Sequence, residues 1–133
     1  MSHYNKGAAA ERELMKILEA DGFSMARVAG SGSNPLPCPD MIAMKKTKKY
    51  AIECKSWKGA HLVLSKEQMD EIANWSENAG IDFLIAWRMP GKKWFFLNQK
   101  DFNKTDKNFV ISAKKAKEIG LTLNSILNGG GFK

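Results

Sequence analysis

Apolar residues near the start of the chain recur at intervals of three and four residues, and a glycine ends the run. This spacing is typical of one helix face, so we predict a helix over residues 8–21. Ser65 is followed three residues later by Gln68, a pair typical of a helix start, and a second helix is predicted over 65–79. A helical tail is predicted from Ser112, broken at Gly120, with the last five residues disordered. The apolar positions of the first helix are Leu14, Met15, Ile17 and Leu18.

Short apolar runs between these helices predict five strands. The segments 30–39 and 56–64 are predicted to be loops, the first because it holds three prolines and two glycines. The order α-β-β-β-α-β-β-α predicts an α/β fold, a mixed sheet covered by helices. With 133 residues, 44% of them hydrophobic, we expect one domain over 1–133. The predicted strands are 23–29, 40–45, 49–55, 82–88 and 93–97.

Positive charge exceeds negative charge, with 21 Lys and Arg against 14 Asp and Glu. Most of the excess falls in two blocks, Lys45–Lys58 and Lys92–Lys117, which a fold can bring to one face. This balance favours a polyanionic partner, nucleic acid first and an anionic membrane surface second; a merely solvated surface is the alternative. No run is long and apolar enough to span a membrane, and two cysteines cannot form a disulfide framework. We therefore expect a cytoplasmic protein that is not secreted.

The clearest chemical signal lies at the ends of two neighbouring predicted strands. Asp40 opens one strand, Glu53 and Lys55 close the next, and a turn near Lys46-Thr47 places position 40 opposite position 53. Two converging carboxylates repel each other, and a divalent cation such as Mg²⁺ relieves that repulsion and can promote phosphodiester hydrolysis. Lys55 can polarise the attacking water or stabilise charge on the phosphate. The alternative is an ordinary exposed hairpin end with a surface salt bridge.

Two further features favour a site at this hairpin end. Glu11 lies on the apolar stripe of the first helix, where a carboxylate is costly unless it meets a cation or hydrogen-bond donors. The alternative is a solvated acid that suits the positive end of the helix dipole. The Gly/Ser segment 30–33 can approach a phosphate closely, although such segments are often only flexible. Arg12 and Arg27 can also reach phosphates.

Several segments, taken in order, resemble the archaeal-type Holliday junction resolvases, a family of the PD-(D/E)xK nuclease superfamily. The similarity covers about the first hundred residues; the proline-rich segment 34–39 and the C-terminal third depart from the family pattern. The matching segments are Lys6–Leu14, Gly22-Phe23, Arg27 with Ser31-Gly32-Ser33, Pro39–Ala43 and Ile52–Ser56.

The resemblance implies a restriction-endonuclease-like mixed sheet flanked by helices. It also implies a structure-selective, Mg²⁺-dependent endonuclease, with Mn²⁺ as a substitute, that cuts four-way DNA junctions symmetrically as a homodimer in recombination and repair. A related nuclease for other DNA, of restriction or repair type, and a non-catalytic DNA-binding module remain alternatives.

The resemblance also implies roles for single residues. The metal ligands would be Glu11, Asp40 and Glu53. Lys55 would be a catalytic base or transition-state stabiliser, and Ser33 an active-site residue. The residues that we expect to contact DNA are Arg12, Arg27, Ser31, Lys45, Lys46 and Lys58.

Two tryptophans differ from the other aromatic residues, which are more typical of core or sheet packing. Trp57 follows the predicted catalytic strand within a basic loop. Trp75 lies on the flank of the second helix, next to Ile72, and a Trp in such a place is typical of an interface anchor. Paired cuts need two sites, which a twofold dimer supplies, so we predict Ile72 and Trp75 at a homodimer interface.

Overall fold

The computed structural model describes residues 3–28 and 36–127. In chain order its elements are α1 (His3–Ala20), β1 (Ser24–Arg27), β2 (Met41–Lys45), β3 (Lys48–Ser56), β4 (His61–Ser65), α2 (Lys66–Ala79), β5 (Asp82–Met89), β6 (Lys93–Leu97), a short 3-10 helix (Gln99–Asp101), β7 (Asn103–Lys104), β8 (Asn108–Ser112), α3 (Ala113–Ile119), β9 (Leu121–Thr122) and α4 (Leu123–Leu127).

Six strands form the main sheet, in the order β1-β2-β3-β5-β6-β9. Its neighbours pair antiparallel except β3 and β5, which pair parallel along seven residue pairs from Tyr50↔Asp82 to Ser56↔Arg88. A parallel pair needs a long crossover, and here β4 and α2 form it. The mixed sheet predicted from the element order is therefore confirmed.

Two hydrophobic cores lie on opposite faces of this sheet. One packs the apolar face of α1, together with Ile126 of α4, against residues such as Ile52 and Phe96. The other packs α2 and Ala116 of α3 against residues such as Trp87 and includes side chains of a second, three-stranded sheet in the order β4-β8-β7. Because both faces are covered, β3 and β5 carry buried residues on both sides, as strands inside a layered α/β fold do.

The predicted α2 begins and ends where the sequence places it. The Ser65 side chain accepts a hydrogen bond from the Gln68 backbone N–H at 3.0 Å, which caps the helix. Gly80 ends it in the left-handed region, with φ 70°, a conformation that glycine adopts without strain. Among the described helices, none is both long enough and apolar enough to cross a membrane.

The strand predictions at 40–45, 49–55, 82–88 and 93–97 correspond to β2, β3, β5 and β6, and β1 lies within 23–29. The loop prediction for 56–64 is wrong at its end, because β4 begins at His61. β7, β8 and β9 were not predicted from the sequence. The first helix begins at His3 rather than at residue 8. The last five residues, predicted to be disordered, lie outside the described part of the chain.

Candidate active site

The β2–β3 hairpin brings the first two acids together. Its register pairs Met41 with Ile52 and turns at Lys46-Thr47, so position 40 lies opposite position 53 as predicted. Asp40 is buried, and its Oδ2 accepts a hydrogen bond from the Cys54 backbone N–H at 2.8 Å. Asp40 is therefore tied to β3 at the residue between Glu53 and Lys55.

Glu53 and Lys55 lie two residues apart on one face of β3, and Lys55 Nζ is 3.6 Å from Glu53 Oε2. Their side chains are only 12% and 27% exposed, respectively. Burial and then repulsion by Asp40 raise the pKa of Glu53 to about 7, despite the opposing effect of Lys55. The ammonium group of Lys55 therefore compensates only part of the negative charge at this point.

Helix α1 adds a third acid at the open end of the β2–β3 hairpin, away from its turn. Glu11 is 16% exposed, and its Oε1 pairs with Arg27 Nε at 3.1 Å. Burial, followed by repulsion from Asp40, raises the pKa of Glu11, and the hydrogen bond from Arg27 opposes this rise. Glu11 also contributes to the raised pKa of Glu53. The three predicted acids thus interact electrostatically, although they come from three distant parts of the sequence.

An ion-pair network that the sequence did not reveal holds α1 on the sheet. Glu13 accepts hydrogen bonds from Arg88 Nε at 2.9 Å, from a terminal guanidinium nitrogen of Arg88 at 3.1 Å, and from Trp94 Nε1 at 2.9 Å. The Arg88 hydrogen bond is the main reason that the pKa of Glu13 is lowered. Because Glu13 is two residues from Glu11, this network fixes the part of α1 that carries the third acid.

The donor set fits a hard divalent cation, since all three acids offer carboxylate oxygens beside uncompensated negative charge. Within residues 3–28 and 36–127, however, no three His, Cys, Asp or Glu side chains are already arranged around one metal position. Glu11 instead pairs with Arg27, and Asp40 accepts from the Cys54 amide. A cation held by all three acids therefore requires their side chains to rearrange, and the Arg27 pair is one contact of Glu11 that can change.

The residues predicted to contact DNA differ in their placement. Arg12 and Lys58 are exposed, as is Lys46 at the hairpin turn, whereas Arg27 pairs with Glu11. Lys45 Nζ donates to the Asp21 backbone oxygen at 2.8 Å and lies 3.2 Å from Asp21 Oδ2, so it is already engaged within the chain. Ser31 and Ser33 lie outside the described residues.

The two residues predicted at a dimer interface also differ. Ile72 is 7% exposed and packs in the core between α2 and the sheets, so it has little surface to offer a second copy. Trp75 is only half-buried, on the flank of α2. The interface prediction therefore depends on Trp75.

Known proteins resemble this chain over most of its length. A family model described as archaeal Holliday junction resolvase (Hjc) matches residues 2–131. The crossover junction endodeoxyribonuclease Hjc of Archaeoglobus fulgidus is 37% identical over 107 residues, which cover 80% of this chain and 79% of that protein. The enzyme of the same name from Methanocaldococcus jannaschii is 30% identical over 127 residues, covering 96% of this chain and 90% of that protein.

Solved structures also resemble this chain in their backbone fold. The structure of Archaeoglobus fulgidus Hjc, a Holliday junction resolvase, superposes with a TM-score of 0.82 at 30% identity and covers 92% of this chain and 96% of that one. The bacterial homing endonuclease I-Ssp6803I superposes with a TM-score of 0.57 at 15% identity, covering 98% of this chain and 96% of that one. At that identity the second match is a likeness of fold alone.

Proposed function

The chain belongs to the archaeal Holliday junction resolvase family, and from this premise we propose that it is an endonuclease that cuts four-way DNA junctions. The family resemblance and the restriction-endonuclease-like sheet predicted from the sequence are both confirmed. The relatives named crossover junction endodeoxyribonuclease act, by that name, on DNA at a crossover. We propose that this chain acts likewise as a homodimer in recombination and repair. We propose the cytoplasm of an archaeal, virus-infected or phage-infected cell as its compartment, because the DNA on which it would act lies there.

One observation supports the proposed chemistry of phosphodiester cleavage. Three carboxylates and a lysine meet where β2 begins and β3 ends, and burial, followed by repulsion among the acids, raises the pKa of Glu53 to about 7. We propose that Glu11, Asp40 and Glu53 hold Mg²⁺, for which Mn²⁺ can substitute. When bound, the cation supplies Lewis-acid stabilisation of the charge that develops on the phosphodiester.

The chain's own groups then position the reacting atoms. The Lys55 ammonium, 3.6 Å from Glu53, is free to turn one of its N–H groups to a phosphate oxygen and stabilise the transition state. Water attacks the phosphorus in line, the bond from phosphorus to the 3′-oxygen breaks, and the products carry a 3′-hydroxyl and a 5′-phosphate. Ser33 is a further active-site residue in this proposal, by the family pattern.

DNA phosphates would meet several exposed cations of the chain. Arg12, next to Glu11, and Lys58, three residues after Lys55, are solvent-exposed, whereas the exposed Lys46 lies at the β2–β3 turn and would contact DNA farther from the cut. A phosphate also competes with Glu11 for Arg27, and that exchange frees the Glu11 carboxylate for the cation. Ser31, in the adjacent Gly/Ser segment, completes the proposed contact set.

The test compares an immobile four-way junction with a duplex, a fork and a single strand of matched sequence, each with Mg²⁺ and with EDTA. We expect Mg²⁺-dependent cuts at symmetric positions of opposed strands in the junction, and far weaker cutting of the other DNAs. Equal cutting of the duplex would instead favour a related nuclease for other DNA. Tight junction binding without cleavage in Mg²⁺ or Mn²⁺ would favour a non-catalytic binding module.

A further inference from the structure

A small pocket opens beside the proposed catalytic lysine, between the end of β3 and the start of β4. Its volume is about 290 Å³, near the lower end of the range for small-molecule sites. This size suits one flat ring system better than a whole nucleotide. The pocket is lined by Lys55, Ser56, Trp57, His61, Leu62 and Val63.

The pocket exposes apolar surface beside a site for a charged substrate. Trp57 is 46% exposed and Val63 52% exposed, and they are two of the five exposed large hydrophobic residues in the described part of the chain. Trp87 and Trp94, in contrast, are buried in the cores. Lys55 lines the same pocket, and the exposed Lys58 follows Trp57 directly in the sequence, so positive charge lies near the indole. This combination of an aromatic face and adjacent cations is typical of surfaces that bind unpaired nucleic-acid bases.

The indole of Trp57 is held in place before any ligand arrives. Its Nε1–H donates to the His61 backbone oxygen at 2.8 Å. Its own backbone N–H donates to the Arg88 oxygen at 3.2 Å, and its backbone oxygen accepts from Trp87 Nε1 at 2.9 Å. A fixed ring loses little conformational freedom on binding, so its contact area contributes more fully to affinity.

Gly59 makes this position of the ring possible. A Cβ built at residue 59 would overlap Trp57 Nε1 and lie 2.8 Å from Cε2, so a larger residue forces a local shift, and the indole is the group that it meets. Position 59 therefore offers a way to move the ring without removing it.

We propose that the base next to the scissile phosphate leaves its stack at the branch point and stacks on Trp57 in this pocket. This inference rests on the proposed junction-cutting function and names the residue that would seat the substrate strand. The occupant is a nucleobase because the site combines a flat aromatic residue, room for one ring system, and Lys55 in its lining, which can bind an adjacent phosphate. Seating the base there would hold the neighbouring phosphate beside Lys55.

The experiment uses junctions with 2-aminopurine, a fluorescent adenine analogue that is quenched by stacking, at a nucleotide flanking the cut. Ca²⁺ replaces Mg²⁺ so that the strands stay intact. We expect the saturated complex of Trp57→Leu to be several times brighter than that of the wild type, with junction affinity about tenfold weaker. Trp57→Phe, which keeps a flat ring, should stay close to the wild type. Ile119→Ala, which removes an equally exposed apolar residue that does not line the pocket, should match the wild type.

A second pair of variants tests whether a change in the loop at Gly59 acts through the position of the Trp57 ring. Gly59→Ala should brighten the complex as Trp57→Leu does, and it should have no further effect in the Trp57→Leu background. A Gly59→Ala effect that persists in that background, or equal emission from the wild-type and Trp57→Leu complexes, would overturn the inference. If the wild type cuts junctions in Mg²⁺ and either result appears, only this inference fails. If the wild type neither binds nor cuts junctions, the proposed function fails with it.

Discussion

Asp40 combines a structural and an electrostatic role. Its Oδ2 accepts a hydrogen bond from the Cys54 N–H, and burial, followed by the charge of Asp40, raises the pKa values of Glu11 and Glu53. Asp40→Asn keeps an oxygen that can accept from Cys54 and removes only the charge, so the fold should be retained. We expect cleavage to fall by at least about 100-fold. Junction affinity should stay equal or become tighter, because one charge that repels phosphate is lost.

The matched control is Asp106→Asn, which removes an exposed acid between β7 and β8. It should cut at the wild-type rate in a gel assay of strand cleavage, run beside a binding assay without metal. Normal cutting by Asp40→Asn would refute the assignment of this acid to the site.

Glu53 makes the stability of the metal-free protein depend on pH. Its pKa is about 7 in the folded protein and near the ordinary 4.5 in the unfolded chain, so the folded state binds the proton more tightly. Glu53 therefore contributes stability below about pH 4.5 that is lost as pH rises through 7, at most about 3 kcal/mol. In EDTA, Glu53→Gln should flatten the decline in unfolding free energy between pH 5 and pH 8. Urea titrations at each pH measure the unfolding free energy. The same decline with pH in both proteins would contradict the assignment of this decline to Glu53.

At the scale of elements, the sequence predicted the helices and strands that are determined by the local pattern of apolar and polar residues. The β2–β3 hairpin follows from alternation and a two-residue turn, so the pairing of positions 40 and 53 was predictable. β4 alternates exposed and buried residues, but the exposed Val63 is apolar, so the residue types alone do not show that alternation. Its partner β8 is far along the chain, and such pairing depends on tertiary contacts. The ion pair between Arg27 and Glu11 could not be predicted from the sequence either, because the two residues come together only when β1 and α1 pack.

The attachment of α1 to the sheet gives a prediction at the same scale. Arg88 donates two hydrogen bonds to Glu13, and both side chains are about one quarter exposed, so the pair is only partly screened by solvent. Arg88→Ala should lower the unfolding free energy by about 1 kcal/mol, as expected for a partly buried charge-assisted pair. Because the pKa of Glu13 is lowered in the folded state, its contribution is present above the unfolded pKa and is lost as pH falls through the folded value.

The control for α1 is Lys16→Ala, an exposed change on the same helix that should stay within about 0.5 kcal/mol of the wild type. Denaturant unfolding at neutral pH compares the three proteins. Equal stability of Arg88→Ala and the wild type would show that the network does not anchor α1.

At the scale of the whole molecule, the net charge of +7 predicts a strong salt dependence of DNA binding. Each phosphate contact contributes about −0.9 to the slope of log affinity against log salt concentration. Exposed Lys58 should contribute one such contact, so Lys58→Ala should make the slope shallower by about one. Lys45 is held by Asp21, so Lys45→Ala should change the slope less. Binding isotherms on an uncut junction at several salt concentrations measure both, and a nearly flat wild-type slope would contradict the prediction that the basic blocks contact DNA.

The proposed symmetric cutting requires a second site, and the described part of the chain offers a single cluster of acids and lysine. A twofold dimer supplies the second site at a fixed spacing. With Ile72 and Ser76 buried in the chain's own core, Trp75 is the large apolar residue left on the flank of α2 to meet a second copy. We expect sedimentation at micromolar concentration to give twice the 14.8 kDa chain mass. Trp75→Ala should shift the protein towards monomer and turn paired cuts into single nicks, while Glu71→Ala, an exposed change on the same helix, should leave both properties unchanged. A monomeric Trp75→Ala protein that still cuts both strands together would refute the assignment of Trp75 to the interface.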